Sequence, residues 1–300
     1  MHADANRILP PFHAFGLAIF AYLFFTLSDT LGKWLQAGGY GAAQILVTVN
    51  VTGFALMLCV AAVIRGPRAI FKGERWRLHL LRGLLLGGST MLVLIAIRHL
   101  PLADFYGIVF LNPIWVALIS RLILKQHIPP SRWLAIGAGF LGVLVIAGPR
   151  FADLNVGALA ALAASLCSAG AALLARRIGG HEPPTNFSLA THATLVLLNL
   201  PVMLFVDGPV MPALPDLGLM VLYGVLLSIA MISISLVFAR SHVVSQVAPL
   251  QYTQMLWGVL LGWLVFDQPP TARIFAGSLL VMGAGIYILH SLRRGRLMTH

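Results

Sequence analysis

The chain has 300 residues, of which 59% are hydrophobic and only 10% are charged, and its mean hydropathy is +0.91. An ordinary soluble domain has about 25% charged residues, so this composition excludes a soluble globular protein and places the chain in lipid. The formal net charge of +11 would suggest nucleic-acid binding in a soluble protein, so the distribution of the basic residues has to be considered.

A bilayer core about 30 Å thick needs roughly 20 mostly apolar residues per helix. The sequence divides into ten apolar runs of about that length, which predicts an all-α integral membrane protein. The predicted spans are 13–35, 42–64, 78–98, 104–124, 133–149, 156–176, 187–206, 216–239, 246–266 and 273–291.

The basic residues alternate between dense and sparse loops of this ten-span arrangement. With a cytoplasmic N-terminus, sixteen Lys and Arg residues lie on the inner side, and four lie outside: Lys33, Arg98, Arg150 and Arg273. This bias follows the positive-inside rule and predicts ten spans in the inner (plasma) membrane with both termini cytoplasmic. The positive charge therefore reflects topology, and we expect the lipid bilayer, not nucleic acid, as a partner.

Two stretches, 98–148 and 240–290, share the order of their features: an Arg, an apolar run with a central Trp, a polar hinge with Pro, and a glycine-rich apolar run. Five identities fall in the 29 positions from 98 to 126 at a spacing of 142 residues. Chance agreement between two apolar helices is the alternative. We place the two halves at 1–150 and 151–300. Each half has five spans, so homologous halves would cross the membrane in opposite senses, as in inverted-repeat secondary transporters.

The first run carries a carboxylate at membrane depth. Tyr22, Thr26, Asp29 and Lys33 share one helical face. A charge in lipid costs several kcal/mol, so this face must point into the bundle or into water. Two interpretations remain open: an ion pair between Asp29 and Lys33, or a cation or proton site in a translocation path.

Other polar residues at depth have similar alternatives. Asn50 in the second run and His192 in the seventh suit interhelical hydrogen bonds as well as a pathway. In the fourth run, Asn112-Pro113 interrupts the helix because proline removes a backbone hydrogen bond, and Trp115 lies one turn further on. Arg98 and Asp104 flank Pro101, which favours a pair that pins the turn over a substrate contact.

The ninth run contains the most polar stretch at membrane depth. Gln251, Gln254 and Gly258 share one helical face, and Tyr252 and Trp257 accompany them. Two amides and two aromatic residues exceed what helix association requires, which predicts that they line a cavity.

The segments 77–84, 96–104 and 248–257 together resemble the EamA-type transporters of the drug/metabolite transporter superfamily. The resemblance covers about residues 13 to 290 and implies ten helices, two EamA repeats, cytoplasmic termini and transport of small metabolites. Residues 28–33 and 251–254 are most similar to the subgroup with S-adenosylmethionine and riboflavin uptake carriers. Lys125-Gln126 and Asp267-Gln268 stand where family members commonly have Gly-Glu, so a role of those glutamates is in doubt here.

Enzymes and channels are disfavoured by what the sequence lacks. It has nine acidic residues, of which only Asp29 lies well inside a predicted span while Asp104 begins one, and it has no metalloprotease, nucleophile-elbow or nucleotide-binding motif. Rings of like charge and repeated filter motifs, typical of channels, are also absent from the sequence. We therefore expect no catalytic residues, no metal and no cofactor.

The sequence as a whole predicts a secondary carrier for a small polar or amphipathic metabolite of the amino-acid, nucleoside, vitamin or organic-cation class. Proton coupling is one candidate driving force, and the sequence leaves the oligomeric state open. Amides and aromatic side chains suit a planar or zwitterionic ligand. The predicted substrate-binding residues are Asp29, Asn50, Asn112, Trp115, Gln251, Tyr252, Gln254 and Trp257.

Overall fold

The computed structural model describes residues 11–65, 76–122, 155–178, 184–240, 251 and 253–297, and isolated positions between 134 and 145. The described residues contain helices and no β-strand, so the predicted all-α class is confirmed. In chain order the helices are α1 (Pro11–Ala37), α2 (Ala42–Arg65), α3 (Trp76–His99), α4 (Leu102–Val109), α5 (Asn112–Leu122), α6 (Val156–Ile178), α7 (Pro184–Val202), α8 (Leu214–Arg240), α9 (Thr253–Phe266) and α10 (Ala272–Leu297).

Several of these helices are long and apolar enough to cross a membrane. Within the described residues there are six: Phe12–Ala37, Ala42–Ile64, Trp76–His99, Val156–Leu174, Ser188–Asp207 and Leu214–Ile234. The span that ends at Asp207 continues α7 through a π-helical turn, Met203–Asp207. Many large apolar side chains on these helices are exposed, which suits contact with lipid. The chain is therefore a multi-pass membrane protein.

The predicted runs agree with the helices to within a few residues at α1, α2, α3, α6 and α8. The fifth predicted run, 133–149, lies mostly outside the described residues, and so do residues 241–250 ahead of α9. The undescribed residues include most of the fifth predicted run and the start of the ninth.

The fourth predicted run consists of two helices, α4 and α5, separated by a turn. Pro113 has no N–H to bond the carbonyl of Val109, four residues earlier. The hydroxyl of Ser165 on α6 donates to that carbonyl at 3.0 Å, and Nδ2 of Asn112 donates to the Ser165 carbonyl at 3.3 Å. The predicted interruption at Asn112-Pro113 is confirmed, and α6 supplies the polar partner that a break at membrane depth requires.

The helices of the two halves interleave. The most extensive packing joins α3 to α6, α1 to α8 and α2 to α7, and further contacts join α3 to α7, α2 to α8, α1 to α9, α4 to α9, and both α4 and α5 to α6. The largest buried cluster includes Leu94 on α3, Phe105 and Tyr106 on α4, and Tyr223 on α8. The core of the protein is therefore built where the first five helices meet the last five.

Polar contacts also join the two halves at the loop between α1 and α2. The Asp207 carboxylate accepts hydrogen bonds from the backbone N–H groups of Ala43 and Gln44 at 2.7 and 3.4 Å, in the first turn of α2. The Tyr40 hydroxyl donates to Asp216 at 2.7 Å, and this hydrogen bond raises the pKa of Tyr40. The α1–α2 loop is therefore held against the segment between α7 and α8.

Candidate functional site

Asp29 has a specific partner on another helix. The Tyr106 hydroxyl on α4 donates to Oδ2 of Asp29 at 2.6 Å. Tyr106 is buried, whereas Asp29 is half-buried, so the carboxylate keeps some access to space inside the bundle. Thr26, one turn earlier on α1, and Tyr223 on α8 also interact with the Tyr106 phenol. Three helices thus converge on one acid.

Lys33 is directed to other groups. Its Nζ donates to the carbonyl of Leu100 at 2.5 Å and lies 5.3 Å from the ring centroid of Phe266. Because Asp29 takes its hydrogen bond from Tyr106, the interpretation of Asp29 as the ion-pair partner of Lys33 loses its basis. Asp29 is bound through a phenol and is not neutralised by the lysine one turn away.

Helix α9 reaches the same site through a glycine. A Cβ added to Gly258 would lie 2.3 Å from Cδ2 of Tyr106, which is closer than real Cβ atoms approach other heavy atoms. Glycine therefore permits the close packing of α9 on the phenol that holds Asp29. The predicted face of α9 is thus directed towards α4, with Gln254 half-buried in its first turn.

Each half contributes one amide and one indole at matching positions. Asn112 and Trp115 begin α5, and Gln254 and Trp257, 142 residues later, begin α9. Nε1 of Trp115 and Nε1 of Trp257 are both buried, and neither has a hydrogen-bond partner within the part of the chain that the structure describes. A buried unpaired donor costs about 1–3 kcal/mol, so two such indoles, 142 residues apart in the sequence, call for an explanation.

Asn50 lies in a different environment. Its Nδ2 donates to the carbonyl of Leu46 at 2.7 Å, and its Oδ1 lies 2.8 Å from Nδ1 of His192 on α7. Both side chains are fully buried, and the imidazole packs so closely on Gly53 that an added Cβ would lie 2.5 Å from it. This pair joins α2 to α7, and neither hydrogen bond of the Asn50 side chain goes to a residue around Asp29.

The remaining predicted residues are only partly described. Gln251 is half-buried, and Tyr252 lies outside the described residues. Asn112 uses its amide to bond α6, as described above for the broken helix. The described residues contain no group of three or more His, Cys, Asp or Glu side chains that could hold a metal ion.

Sequence reasoning missed Tyr106 and Tyr223 as members of the site. Both are tyrosines in otherwise apolar runs. Tyr106 lies two residues after Asp104, and Tyr223 lies in the first half of α8. A buried phenol normally requires a hydrogen-bond partner for its hydroxyl, so a tyrosine in an apolar run was the sequence signal that indicated a polar site. The partner itself depends on how α1, α4 and α8 pack, which the sequence alone does not specify.

The sequence profile of the EamA-like transporter family matches residues 14–148 and 155–290. The riboflavin transporter of Brucella anthropi is 24% identical over 254 residues, covering 83% of this chain and 89% of that protein. The pseudopaline exporter of Pseudomonas aeruginosa is 27% identical over 275 residues, covering 90% and 93%. The S-adenosylmethionine uptake transporter of Rickettsia prowazekii is 21% identical over 276 residues, covering 92% of each.

A solved crystal structure has the same fold, with a TM-score of 0.63 over 95% of this chain and 98% of the other at 20% identity. These relatives are named as transporters and not as enzymes. The family match covers most of the chain, and the resemblance in residues 77–84, 96–104 and 248–257 is confirmed. The chain therefore belongs to the EamA-like transporter family and is a membrane transporter.

Proposed function

We propose that this transporter is a secondary carrier that moves a small polar or amphipathic metabolite by alternating access between two inverted five-helix repeats. The first repeat would occupy residues 1–150 and the second residues 151–300. The proposal adds the ten-helix arrangement, the substrate site and the driving force to the family membership.

The helix packing supports the repeat. Exchanging α1, α2 and α3 with α6, α7 and α8, and α4 with α9, converts each major contact into another observed contact. The α3–α6 contact becomes the α8–α1 contact, α3–α7 becomes α8–α2, α4–α6 becomes α9–α1, and α2–α7 and α4–α9 map onto themselves. This is the pattern expected of two related halves around a pseudo-two-fold axis.

The observation that carries the substrate site is the matched pair of unpartnered indoles. Trp115 and Trp257 occupy equivalent positions and both keep a buried N–H without a partner in the described residues. Tryptophans that serve only to join helices would be expected to have a hydrogen-bond partner for each buried indole N–H. Two indole donors, with Gln254 and the Asp29–Tyr106 pair, suit a ligand with acceptor groups on a planar or amphipathic body.

The proposed substrate-binding set keeps Asp29, Trp115, Gln251, Gln254 and Trp257 and adds Tyr106 and Tyr223. Tyr252 stays a prediction because it lies outside the described residues. Asn112 and Asn50 are weaker candidates, since both amides already bond other helices. Asp29 is also the candidate for coupling to protons, as a half-buried carboxylate that a neutral phenol holds in place.

The substrate is tested by ligand-dependent stabilisation of the purified chain. A ligand that binds only the folded chain raises its melting temperature, and the stabilising free energy grows with the logarithm of the ligand concentration relative to its Kd. Riboflavin and S-adenosylmethionine are the first probes, since related carriers are named for them, followed by amino acids, nucleosides and quaternary amines. A stabilising compound should then accumulate in proteoliposomes under an imposed gradient. A compound that stabilises the chain but never crosses the bilayer would contradict the carrier.

The topology is tested by cysteine labelling after Cys59 and Cys167 are replaced by Ala. We expect G73C and G180C to react with an impermeant reagent only from the cytoplasmic side and M211C only from outside. Met211 is preferable to Gly208 because Gly208 has φ +67°, which disfavours a side chain. Labelling of M211C and G180C from the same side contradicts ten spans with cytoplasmic termini.

A further inference from the structure

A cavity with a volume of about 220 Å³ lies beside Gly258, which also packs on Tyr106 of the Asp29 site. One wall is formed by Pro101 and the first turn of α4, with Leu102 and Asp104. The other is formed by Gln268 in the α9–α10 loop and Arg273 at the start of α10. We call it the Asp104 cavity. Residues from both halves line it, and nothing in the proposed carrier mechanism uses it.

Two residues that line the cavity each carry an acceptor oxygen that has no donor within the described residues. Oδ1 of Asp104 and Oε1 of Gln268 are buried and accept no hydrogen bond from the described residues. Lys33 is close enough to act electrostatically on Asp104, but its Nζ donates to the carbonyl of Leu100. The sequence-based pairing of Arg98 with Asp104 is not what the structure contains, because Asp104 lies instead near Arg273 and Lys33. Two lining residues whose acceptor oxygens lack a donor are complementary to an ammonium group.

The same cavity also holds a cation. Arg273 lines it, and its side chain is exposed and makes no hydrogen bond within the described residues. A guanidinium with free N–H groups binds carboxylates in a bidentate manner. An ammonium alone would meet the repulsion of Arg273 and Lys33, and a carboxylate alone would meet the repulsion of Asp104. A ligand that carries both charges satisfies all of these groups.

We infer that the Asp104 cavity binds the amino-acid end of a small zwitterion, with its ammonium on Asp104 and Gln268 and its carboxylate on Arg273. The volume accommodates an amino acid with a short side chain. Gly258 lines this cavity and also packs on Tyr106, so the ligand would lie one side chain away from the Asp29 site. The inference rests on the proposed function only where the ligand is taken to be the transported substrate.

The test is direct binding to the purified full-length chain, with L-alanine as the probe. Ethylamine and propionate are its two halves, each carrying one of the charges. We expect L-alanine to bind at least about tenfold more tightly than either half, measured by titration calorimetry. Equal affinity for propionate and L-alanine overturns the inference, as does the absence of L-alanine binding at millimolar concentration.

Charge-matched variants locate the binding. Asp104→Asn and Arg273→Gln should each weaken L-alanine binding about tenfold or more. The controls are Asp267→Asn, an exposed position in the same loop whose φ of +52° Asn tolerates, and Arg98→Gln, an exposed arginine at the α3–α4 turn. Unchanged binding in Asp104→Asn or Arg273→Gln overturns the inference. Where Asp104→Asn folds poorly, Gln268→Leu supplies the same comparison.

This binding assay needs no transport, so the two proposals fail independently. L-alanine binding that depends on Asp104 stands even when the chain carries no substrate. Conversely, transport through the Asp29 site is compatible with an Asp104 cavity that binds nothing.

Discussion

The α2–α7 interface and the Asp29 site use polar residues of the helix bundle in opposite ways. In the first, Asn50 and His192 are buried and bonded to each other, and Gly53 closes the backbone onto the imidazole. In the second, Asp29 stays half-buried, and the indoles of Trp115 and Trp257, which we propose as further substrate-binding residues, have no partner in the described residues. The saturated pair joins two helices, whereas we propose that the incompletely paired groups line the place where a ligand would complete them.

The largest effect is expected from Gly258→Ala. The added Cβ would displace the Tyr106 ring, and overpacking of a buried contact costs about 1–3 kcal/mol. Transport should fall to background in proteoliposomes, with a lower melting temperature. Gly88→Ala is the matched control, because a Cβ at that helical glycine meets nothing within 4 Å. Wild-type transport in Gly258→Ala would show that α9 does not approach the phenol this closely.

Tyr106→Phe tests the hydrogen bond without changing the packing. Loss of the hydroxyl leaves Oδ2 of Asp29 without its donor, and an unsatisfied buried group costs about 1–3 kcal/mol, so the melting temperature should fall. The ring remains in contact with Gly258, and transport per folded molecule should fall about tenfold or more because Asp29 is no longer held in place. A variant that unfolds readily but transports normally per folded molecule would place Tyr106 among the purely structural residues.

Asn50→Leu tests the other region and should change stability without changing transport. It leaves Nδ1 of His192 buried without its partner, at a cost of about 1–3 kcal/mol. The melting temperature should drop, while transport per folded molecule is retained. The double variant Asn50→Leu, His192→Leu should recover part of the loss, because no unpaired polar group remains. A selective loss of transport at unchanged stability would return Asn50 to the substrate site.

Gln254→Leu is the smallest expected effect. One neutral hydrogen bond to the substrate contributes about 0.5–1.5 kcal/mol, so transport should fall roughly twofold to tenfold while the melting temperature stays nearly constant. Gln251→Leu should behave in the same way. Reduced stability with unchanged transport would instead indicate that these amides join helices.

Composition and periodicity were sufficient for much of the fold. The apolar runs predicted the helices because membrane thickness fixes their length, and Pro113 predicted the break between α4 and α5 because its missing N–H is a local property. The ends of helices and the presence of polar groups at depth are likewise local. These features can be read from sequence without knowing which helices touch.

Pairing could not be predicted, because it depends on contacts between distant helices. The sequence offered Lys33 as a partner for Asp29 since the two lie one turn apart, but helix packing brings Tyr106 from α4. It also placed Asn50 in the substrate set, whereas α7 supplies His192 to bond it. The same reasoning paired Asp104 with Arg98 across Pro101 and missed the cavity with Arg273.

The most direct test of the account is Asp29→Asn in proteoliposomes loaded with the substrate that the stabilisation screen identifies. Asn keeps the shape of the side chain and removes its charge. We expect gradient-driven accumulation to be lost at a nearly unchanged melting temperature. Retained exchange of labelled for unlabelled substrate would assign Asp29 to proton coupling, and loss of exchange would assign it to the substrate itself. Accumulation at the wild-type rate in Asp29→Asn would contradict a substrate site built around Asp29.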